Sequence, residues 1–183
     1  MNNMELNKSI SECQSCPLSQ SKGQAVPGEG KCKKNAIILA EAPGEQEAKT
    51  GKPFQGRAGK LLNHVLEEAG LERDDFFITN IVKHRPPSNR NPEKEEMDTC
   101  FPFFEEQVKS LNPDYIITLG KVPSQYLLGI SDSMRKMRGK VYMAEIGEKW
   151  YPVIVSVHPA AAIYDWRWEQ YLQKDFKMIQ KLI

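Results

Sequence analysis

The chain is predicted to fold as a three-layer α/β/α sandwich around a central, mostly parallel sheet of four strands. Short apolar runs alternate with amphipathic helical segments along its 183 residues, a pattern typical of parallel sheets covered by helices on both faces. Three of these runs lead directly into polar residues or into a turn rich in glycine and proline, as strands do at ligand-binding sheet edges. The sequence contains no internal repeat and no linker-like segment, so residues 1–183 are expected to form one domain.

The first half of the chain supplies two strands and one helix. Ala36–Ala40 is the first expected strand, and a long turn follows it. Gly59–Ala69 places leucines and Val65 on one helical stripe, and Gly70 is a suitable terminator. Phe76–Ile81 is the second expected strand.

The second half continues the alternation with a long helix and a further pair of strands. Asn91 and Pro92 are interpreted as the N-cap and first residue of the helix, whose early acids suit the positive end of the helix dipole. The later elements are expected to be a strand at Tyr115–Leu119, a short helix near Val122–Leu128, a hairpin of Lys140–Ala144 with Trp150–Val155, and a final helix at about Trp166–Ile183.

Composition narrows the class of protein. Hydrophobic residues make up 40% of the chain and charged residues 27%, which is ordinary for a soluble globular domain. No apolar run approaches the roughly 18 residues of a membrane span, and the polar N-terminus lacks a signal-peptide core, so a cytoplasmic protein without membrane contact is expected. In that compartment four cysteines are expected to be metal ligands or free thiols rather than disulfides.

Basic residues gather in three predicted loops although the net charge is only +1. One loop cluster alone is most simply a solvated surface, but three together predict a shared surface that faces an anion. The clusters are Lys31 with Lys33 and Lys34; Lys83 with Arg85 and Arg90; and Arg135 with Lys136, Arg138 and Lys140.

Polar or aromatic side chains lie at or near the ends of three predicted strands. Glu41 follows the first strand, Asn80 follows the apolar run of the second, and His158 follows the apolar run Tyr151–Val157. Taken singly, such residues are more often core, cap or loop residues. Because the carboxyl ends of parallel strands meet at one edge of a sheet, their joint position there predicts a site.

Three segments, in this order, resemble a known enzyme family. They are AEAPGEQEAKTGKPFQGRAGKLLN, which begins at Ala40, TNIVKHRPPSNRNP, which begins at Thr79, and HPAAAI, which begins at His158. Together they resemble the iron–sulfur, or family 4, uracil-DNA glycosylases of the uracil-DNA glycosylase superfamily. The resemblance extends from Cys13 to about the final helix, and its specificity rests on the collinear order of the motifs.

The resemblance implies the uracil-DNA glycosylase fold and a monofunctional DNA glycosylase in base-excision repair. Such an enzyme hydrolyses the N-glycosidic bond of a flipped-out deoxyuridine in single- or double-stranded DNA. It also implies a [4Fe-4S] cluster. A monomer is expected, and a sliding-clamp partner is left open.

The resemblance also implies roles for individual residues. Phe54 would stack on the flipped base, Asn80 would pair with the uracil O4 and N3–H edge, and His158 would donate to O2 as negative charge develops there. Ala42 and Gly44 complete the expected substrate-binding set. Glu41 is the first candidate to hold the attacking water, with Glu47 in reserve.

The predicted metal site departs from the family pattern. Cys13, Cys16 and Cys100 are the expected thiolate ligands, whereas His84 stands where relatives have a cysteine in a Lys-Cys-Arg-Pro-Pro segment. Imidazole replaces thiolate on iron in some clusters, so His84 is the preferred fourth ligand. Cys32 is its rival, and zinc on the same ligands is the alternative metal.

Two further expectations concern DNA and turnover. In the basic loops Lys83, Arg85, Arg90 and Arg138 are expected to contact phosphates. Ala48 stands where family members commonly have an acid, so a related protein that captures uracil-containing or damaged DNA with little turnover is an alternative function. A glycosylase for another deaminated base, such as hypoxanthine, is the other alternative.

Overall fold

The computed structural model describes residues 3–183, and its central feature is one five-stranded sheet. The strands are β1 (Ala36–Ala40), β2 (Phe76–Asn80), β3 (Tyr115–Leu119), β4 (Lys140–Ile146) and β5 (Lys149–Ser156), in the spatial order β2-β1-β3-β5-β4. The first four strands in that order are parallel, and β4 runs antiparallel to β5. The predicted α/β class is confirmed.

The predicted number of strands is wrong, because the sheet has five and not four. The additional strand is β4, which forms the expected hairpin with β5 but is not counted in the predicted sheet; it pairs with β5 along its full length and forms an edge of the sheet. Its burial is only partial, since Val141 and Met143 are about half exposed. A half-exposed edge strand lacks the continuous apolar run that marks a buried parallel strand.

Eight α-helices connect and cover the strands of the described chain. Their bounds are α1 (Asn3–Ser11), α2 (Glu45–Thr50), α3 (Arg57–Glu68), α4 (Lys94–Leu111), α5 (Lys121–Leu128), α6 (Met134–Met137), α7 (Pro159–Tyr164) and α8 (Trp166–Leu182). One-turn 3₁₀ helices occur at Pro17–Gln20, Arg73–Asp75 and Pro87–Asn89.

The start of α4 differs from the prediction. The helix begins at Lys94 rather than Pro92, because Glu93 is its N-cap and forms a reciprocal capping box with Glu96. Arg90 pairs with the same Glu96 carboxylate at 2.6 and 2.8 Å. The capping box and the ion pair therefore keep Asn91 and Pro92 in the preceding loop.

Alternating residues of β1 face two separate hydrophobic cores. Ala36, Ile38 and Ala40 pack in the core that contains the apolar residues of α3 and α8. Ile37 and Leu39 pack on the other face, with residues of α4 and α5. This arrangement gives the predicted three layers and buries every residue of β1.

The carboxyl ends of β1, β2 and β5 meet at one edge of the sheet. The turn after β1, predicted as a long loop, contains the short helix α2. The β5 chain passes through His158 directly into α7. Within residues 3–183 no helix is both long and apolar enough to cross a membrane.

Candidate active site

A cavity of about 360 Å³ lies at the carboxyl edge of the sheet. Its volume falls in the range of about 300–1,000 Å³ that is usual for small-molecule sites. The cavity brings together all the sequence-predicted catalytic and substrate-binding residues. Its lining residues are Glu41, Ala42, Pro43, Gly44, Glu47, Phe54, Ala58, Asn80, Pro86, Asn89, Arg90, His158 and Ala160.

His158 is held in a defined tautomer. It is the N-cap of α7, and its Nδ1 accepts a hydrogen bond from the Ala160 N–H at 3.1 Å. Burial lowers the pKa of His158 to about 4, against a smaller opposing effect of Glu47. The imidazole is therefore neutral at pH 7, with its proton on Nε2, where it can be donated to a ligand.

The Phe54 ring stacks against the His158 ring. The ring centroids are 5.6 Å apart and the planes are inclined by 27°. Phe54 has a left-handed backbone (φ 51°) and is 7% exposed, so the chain presents its ring from a tight turn. Gly59 permits this turn, because a Cβ at that position would lie 1.9 Å from the Phe54 carbonyl oxygen.

Glu47 anchors the same turn from α2. Its Oε1 accepts hydrogen bonds from the N–H groups of Gln55 at 2.7 Å and Gly56 at 3.1 Å. A Cβ at Gly44 would lie 2.6 Å from Glu47 Oε2, so a side chain there would require the Glu47 carboxylate to shift. Glu47 thus positions the segment that carries Phe54 while its carboxylate lines the cavity.

Asn80 is the last residue of β2 and is 2% exposed. Its side-chain amide lines the cavity and is open to it there, since no side-chain nitrogen or oxygen in the described part of the chain is buried without a partner. Its backbone oxygen accepts a hydrogen bond from Lys83 Nζ at 2.8 Å. The amide is therefore available to a ligand, whereas its backbone is tied to the protein interior.

Glu41 is the first residue after β1, and it lines the cavity. Burial raises the pKa of its carboxyl group above the ordinary value. Ala48, at the position of the missing acid, is 3% exposed, and a Cβ on Gly23 would lie 2.7 Å from its Cβ. A larger acidic side chain would meet this tight packing, which is a physical reason for alanine there.

Lys83 does not lie on the surface that the sequence predicted for it. It is 1% exposed, and its Nζ donates to Thr79 Oγ1 at 2.7 Å, to the Asn80 oxygen and to Gln107 Oε1 at 2.9 Å. Burial lowers its pKa to about 8. The predicted phosphate contact of Lys83 is therefore replaced by an interior role.

The other predicted DNA contacts differ in their availability. Arg85 donates to Asn89 Oδ1 at 2.8 Å and lies 3.9 Å from Glu45. Arg90 lines the cavity and pairs with Glu96. Both arginines therefore lie at or beside the mouth.

Arg138 is engaged elsewhere. Its guanidinium pairs with Asp175, a 2% exposed carboxylate, and lies 4.4 Å from the Tyr171 ring centre. Only 15% of the Arg138 side chain is exposed. The ion pair fixes α8 to the turn before β4, which does not fit the predicted phosphate contact.

Three of the four cysteines share one region of the molecule. The thiols of Cys13 and Cys16 lie close enough to Cys100 for both to raise its pKa, although burial is the largest cause of that shift. The Lys83 backbone acts on the Cys100 thiol to lower its pKa, which places the segment that contains the neighbouring His84 near this group. No three His, Cys, Asp or Glu side chains within residues 3–183 stand close enough to hold a metal ion as they are.

Cys32 lies at the other end of the sheet. Its N–H donates to the oxygen of Phe76, the first residue of β2, and its thiol donates to the Ala36 oxygen at 3.5 Å. Burial raises the pKa of this thiol. Cys100, in contrast, contacts the segment beyond the last residue of β2, so Cys32 is separated from the other three by the length of that strand.

Sequence reasoning missed several residues of this region. Pro86, Asn89, Ala58 and Ala160 line the cavity, and Gln107 contacts Lys83 from α4. Ser88 and Asn89 both have left-handed backbones (φ 54°). The Pro-Pro-Ser-Asn sequence signals a turn there, but nothing local in the sequence links Gln107 to the site.

Comparison with known proteins agrees with this geometry. The family model described as "Uracil DNA glycosylase superfamily" matches residues 27–182. A type-4 uracil-DNA glycosylase of Sulfurisphaera tokodaii is 42% identical, over 97% of this chain and 83% of the relative. Proteins of the same name are 41% identical in Saccharolobus solfataricus, over 100% of this chain and 88% of the relative, and 37% identical in Archaeoglobus fulgidus, over 97% and 92%. The chain therefore belongs to the uracil-DNA glycosylase superfamily.

Proposed function

We propose that the chain is a monofunctional uracil-DNA glycosylase that hydrolyses the N-glycosidic bond of deoxyuridine in DNA and so begins base-excision repair. The observation that carries the proposal is the stacked Phe54–His158 pair in one cavity with the unpaired Asn80 amide. A stacking face, a neutral donor and an amide match the needs of a flipped pyrimidine. The names of the relatives support the same activity.

Base recognition follows from the chemistry of the Asn80 amide. Its N–H₂ group can donate to uracil O4 and its oxygen can accept from N3–H, whereas cytosine offers a donor and an acceptor in the reverse order. Because the amide has no protein partner, binding the correct base satisfies it, and binding cytosine leaves mismatched groups buried. The Phe54 ring adds a stacking surface that is indifferent to base identity.

The leaving group is stabilised by His158. The C1′–N1 bond breaks, and its electron pair moves onto uracil, where the negative charge is shared with O2. The neutral imidazole donates its Nε2–H to that oxygen, a hydrogen bond that strengthens as charge develops. Since the pKa of His158 is about 4, the imidazole is a hydrogen-bond donor and not a bulk proton source near neutral pH.

Water completes the hydrolysis on the sugar. A new bond forms between the water oxygen and C1′, and the water proton passes to a carboxylate or to solvent. Glu41 is the proposed carboxylate, since burial raises its pKa and makes it a better base than an ordinary glutamate. Glu47 is a positioning residue in this scheme, because one of its oxygens already holds the Phe54 turn.

DNA is expected to approach over the loop that contains Arg85 and Arg90. Arg90 and Asn89 line the cavity, so this loop lies at its mouth. A backbone phosphate there would compete with the acidic partners Glu45 and Glu96. Single- and double-stranded DNA are both compatible with this proposal.

A [4Fe-4S] cluster would be held by Cys13, Cys16, Cys100 and His84. The donor set fits such a cluster, because three thiols gather beside the segment that carries a buried imidazole. The opposite-end position of Cys32 supports His84 as the fourth ligand. The cluster would supply a structural tie between the N-terminal segment, α4 and the loop after β2.

The proposal is tested by incubating the protein with a fluorescent oligonucleotide that contains one uracil, followed by alkaline cleavage at abasic sites. Cleavage is expected in the strand that contains uracil and not in matched strands that contain cytosine or thymine. Asn80→Asp protein, expressed and purified in the same way, is the control for a contaminating glycosylase. Tight binding without product would instead establish a capture protein. Faster cleavage at hypoxanthine in a panel of deaminated bases would overturn the assigned substrate.

A further inference from the structure

The interior lysine of the segment after β2 is not used by the mechanism above. Lys83 is fully buried, and its three ammonium donors meet three acceptors, which are Thr79 Oγ1, the Asn80 oxygen and Gln107 Oε1. Burying an ammonium group is costly unless its donors are all satisfied. We therefore expect a specific role of the buried Lys83 ammonium group in its three contacts.

The acceptors around Lys83 are themselves oriented. The Gln107 amide donates to the Pro27 oxygen at 2.7 Å, and the Thr79 hydroxyl donates to the same oxygen at 2.9 Å. These bonds direct Gln107 Oε1 and the Thr79 oxygen lone pairs toward the ammonium group. The network thus joins the loop at Pro27, β2 and α4 around one cation.

Asn80 depends on this network for its backbone. The Asn80 oxygen is the carbonyl of the last strand residue, and Lys83 Nζ donates to it at 2.8 Å. Without that donor a buried carbonyl would be unsatisfied, and the peptide would turn toward another partner. The side chain of Asn80 lines the cavity, and the peptide that Lys83 holds sets the position from which this side chain extends.

We propose that Lys83 is the positioning residue that holds the Asn80 amide in the orientation that recognises uracil, with Thr79 and Gln107 as its supports. Lys83 does not touch the substrate, and it acts only through Asn80. This inference rests on the proposed uracil excision. It predicts that the effect of removing the ammonium group depends on whether the Asn80 amide is present.

A double-mutant cycle tests the inference. Lys83→Met, Asn80→Ala and the double variant are compared with the unmodified protein by single-turnover excision from a uracil-containing single strand. Lys83→Met alone is expected to slow excision about tenfold to a hundredfold, the scale of a lost charged hydrogen bond. In the Asn80→Ala background the same change should alter the rate by less than about threefold.

Two controls separate positioning from general damage. In a His158→Ala background, Lys83→Met should slow excision by its full factor again, because His158 lies at the start of α7 and not on β2. Lys149→Met makes the same change at an exposed residue. Lys149 is the first residue of β5, at the end of that strand farther from His158, and its replacement should leave the excision rate unchanged. Equal losses from Lys83→Met in all backgrounds would overturn the inference and leave Lys83 a stability residue.

A folding defect does not end the test. If Lys83→Met melts below the assay temperature, Thr79→Val removes one acceptor of the ammonium group while nearly keeping the side-chain shape. The same cycle with Asn80→Ala should again be non-additive, and additive effects would again overturn the inference. Failure of the unmodified protein to excise uracil would contradict the proposed function, whereas excision with an additive cycle contradicts only the role of Lys83.

Discussion

At the scale of single residues, the cavity places two uncharged polar side chains, His158 and Asn80, where a base could bind. His158 is kept neutral by burial, and the Asn80 amide lines the cavity, where a ligand can reach it. Both can then exchange hydrogen bonds with a base without first breaking a contact to the protein. Such an arrangement is consistent with a preformed binding site.

Asn80→Asp should lower uracil excision by about one to two decades. The change keeps the side-chain size but removes the N–H₂ donor to O4, and a mispaired buried group costs about 1–3 kcal/mol. Single-turnover rates on a uracil oligonucleotide measure the loss, with thermal melting as the control for folding. Unchanged rates in a folded variant would remove Asn80 from base recognition.

His158→Asn should depress the chemical step far more than DNA binding, because its hydrogen bond strengthens as uracil gains charge. Single-turnover rates and the Kd for a uracil oligonucleotide separate the two effects. Equal losses in both would make His158 a residue that positions DNA.

The depressed pKa of His158 also sets a pH dependence of stability. The unfolded imidazole takes up a proton below about pH 6.5, whereas the folded one does so only near 4. Stability from this group is therefore present above about pH 6.5 and is lost as the pH falls toward 4. The Tm of the native protein should fall more steeply between these values than that of His158→Asn, and parallel curves would contradict the assigned shift.

At the scale of elements, the turn between α2 and α3 is fixed by packing as well as by hydrogen bonds. Gly59→Ala should destabilise the protein by about 1–3 kcal/mol or more, because the added methyl group collides with the Phe54 carbonyl. Uracil excision should fall with it, since the Phe54 ring moves. Gly56→Ala is a matched control, as its Cβ would meet nothing closer than 3.8 Å. Equal behaviour of the two variants would show that the close approach is unimportant.

The same scale shows what the sequence can and cannot predict. Ala36–Ala40 and Tyr115–Leu119 are strands with the predicted bounds, because buried parallel strands are continuous apolar runs. The half-exposed β4 and the short α2 have only weak hydrophobic periodicity. For this reason the predicted strand count omits β4, and the prediction places α2 within a long turn. Residues at strand ends were placed in the cavity correctly, whereas Lys83 was misplaced, since a lysine in a basic loop looks exposed unless its buried acceptors are known.

At the scale of the whole molecule, binding to DNA should depend on salt through the loop at the cavity mouth. Arg85→Gln should reduce the slope of log affinity against log salt by about 0.7 on single-stranded DNA, the value for one phosphate contact. Base preference should stay the same, because phosphates carry no sequence information. Lys149→Gln, at the far end of the sheet, is the control, and an unchanged slope in Arg85→Gln would place the DNA surface elsewhere.

The proposed metal site would connect separate parts of the chain. Cys13 and Cys16 belong to the N-terminal segment, Cys100 to α4 and His84 to the loop that follows β2. Protein purified without oxygen should be brown and contain iron rather than zinc. Cys32→Ser should keep the colour, because that residue bonds to Ala36 and Phe76 at the first residues of β1 and β2, away from Cys100. His84→Ala should bleach the protein or make its colour labile, and His84→Cys should restore it. Iron analysis and visible absorbance of the three variants decide between the ligands, and a colourless Cys32→Ser beside a coloured His84→Ala would exchange their assignments.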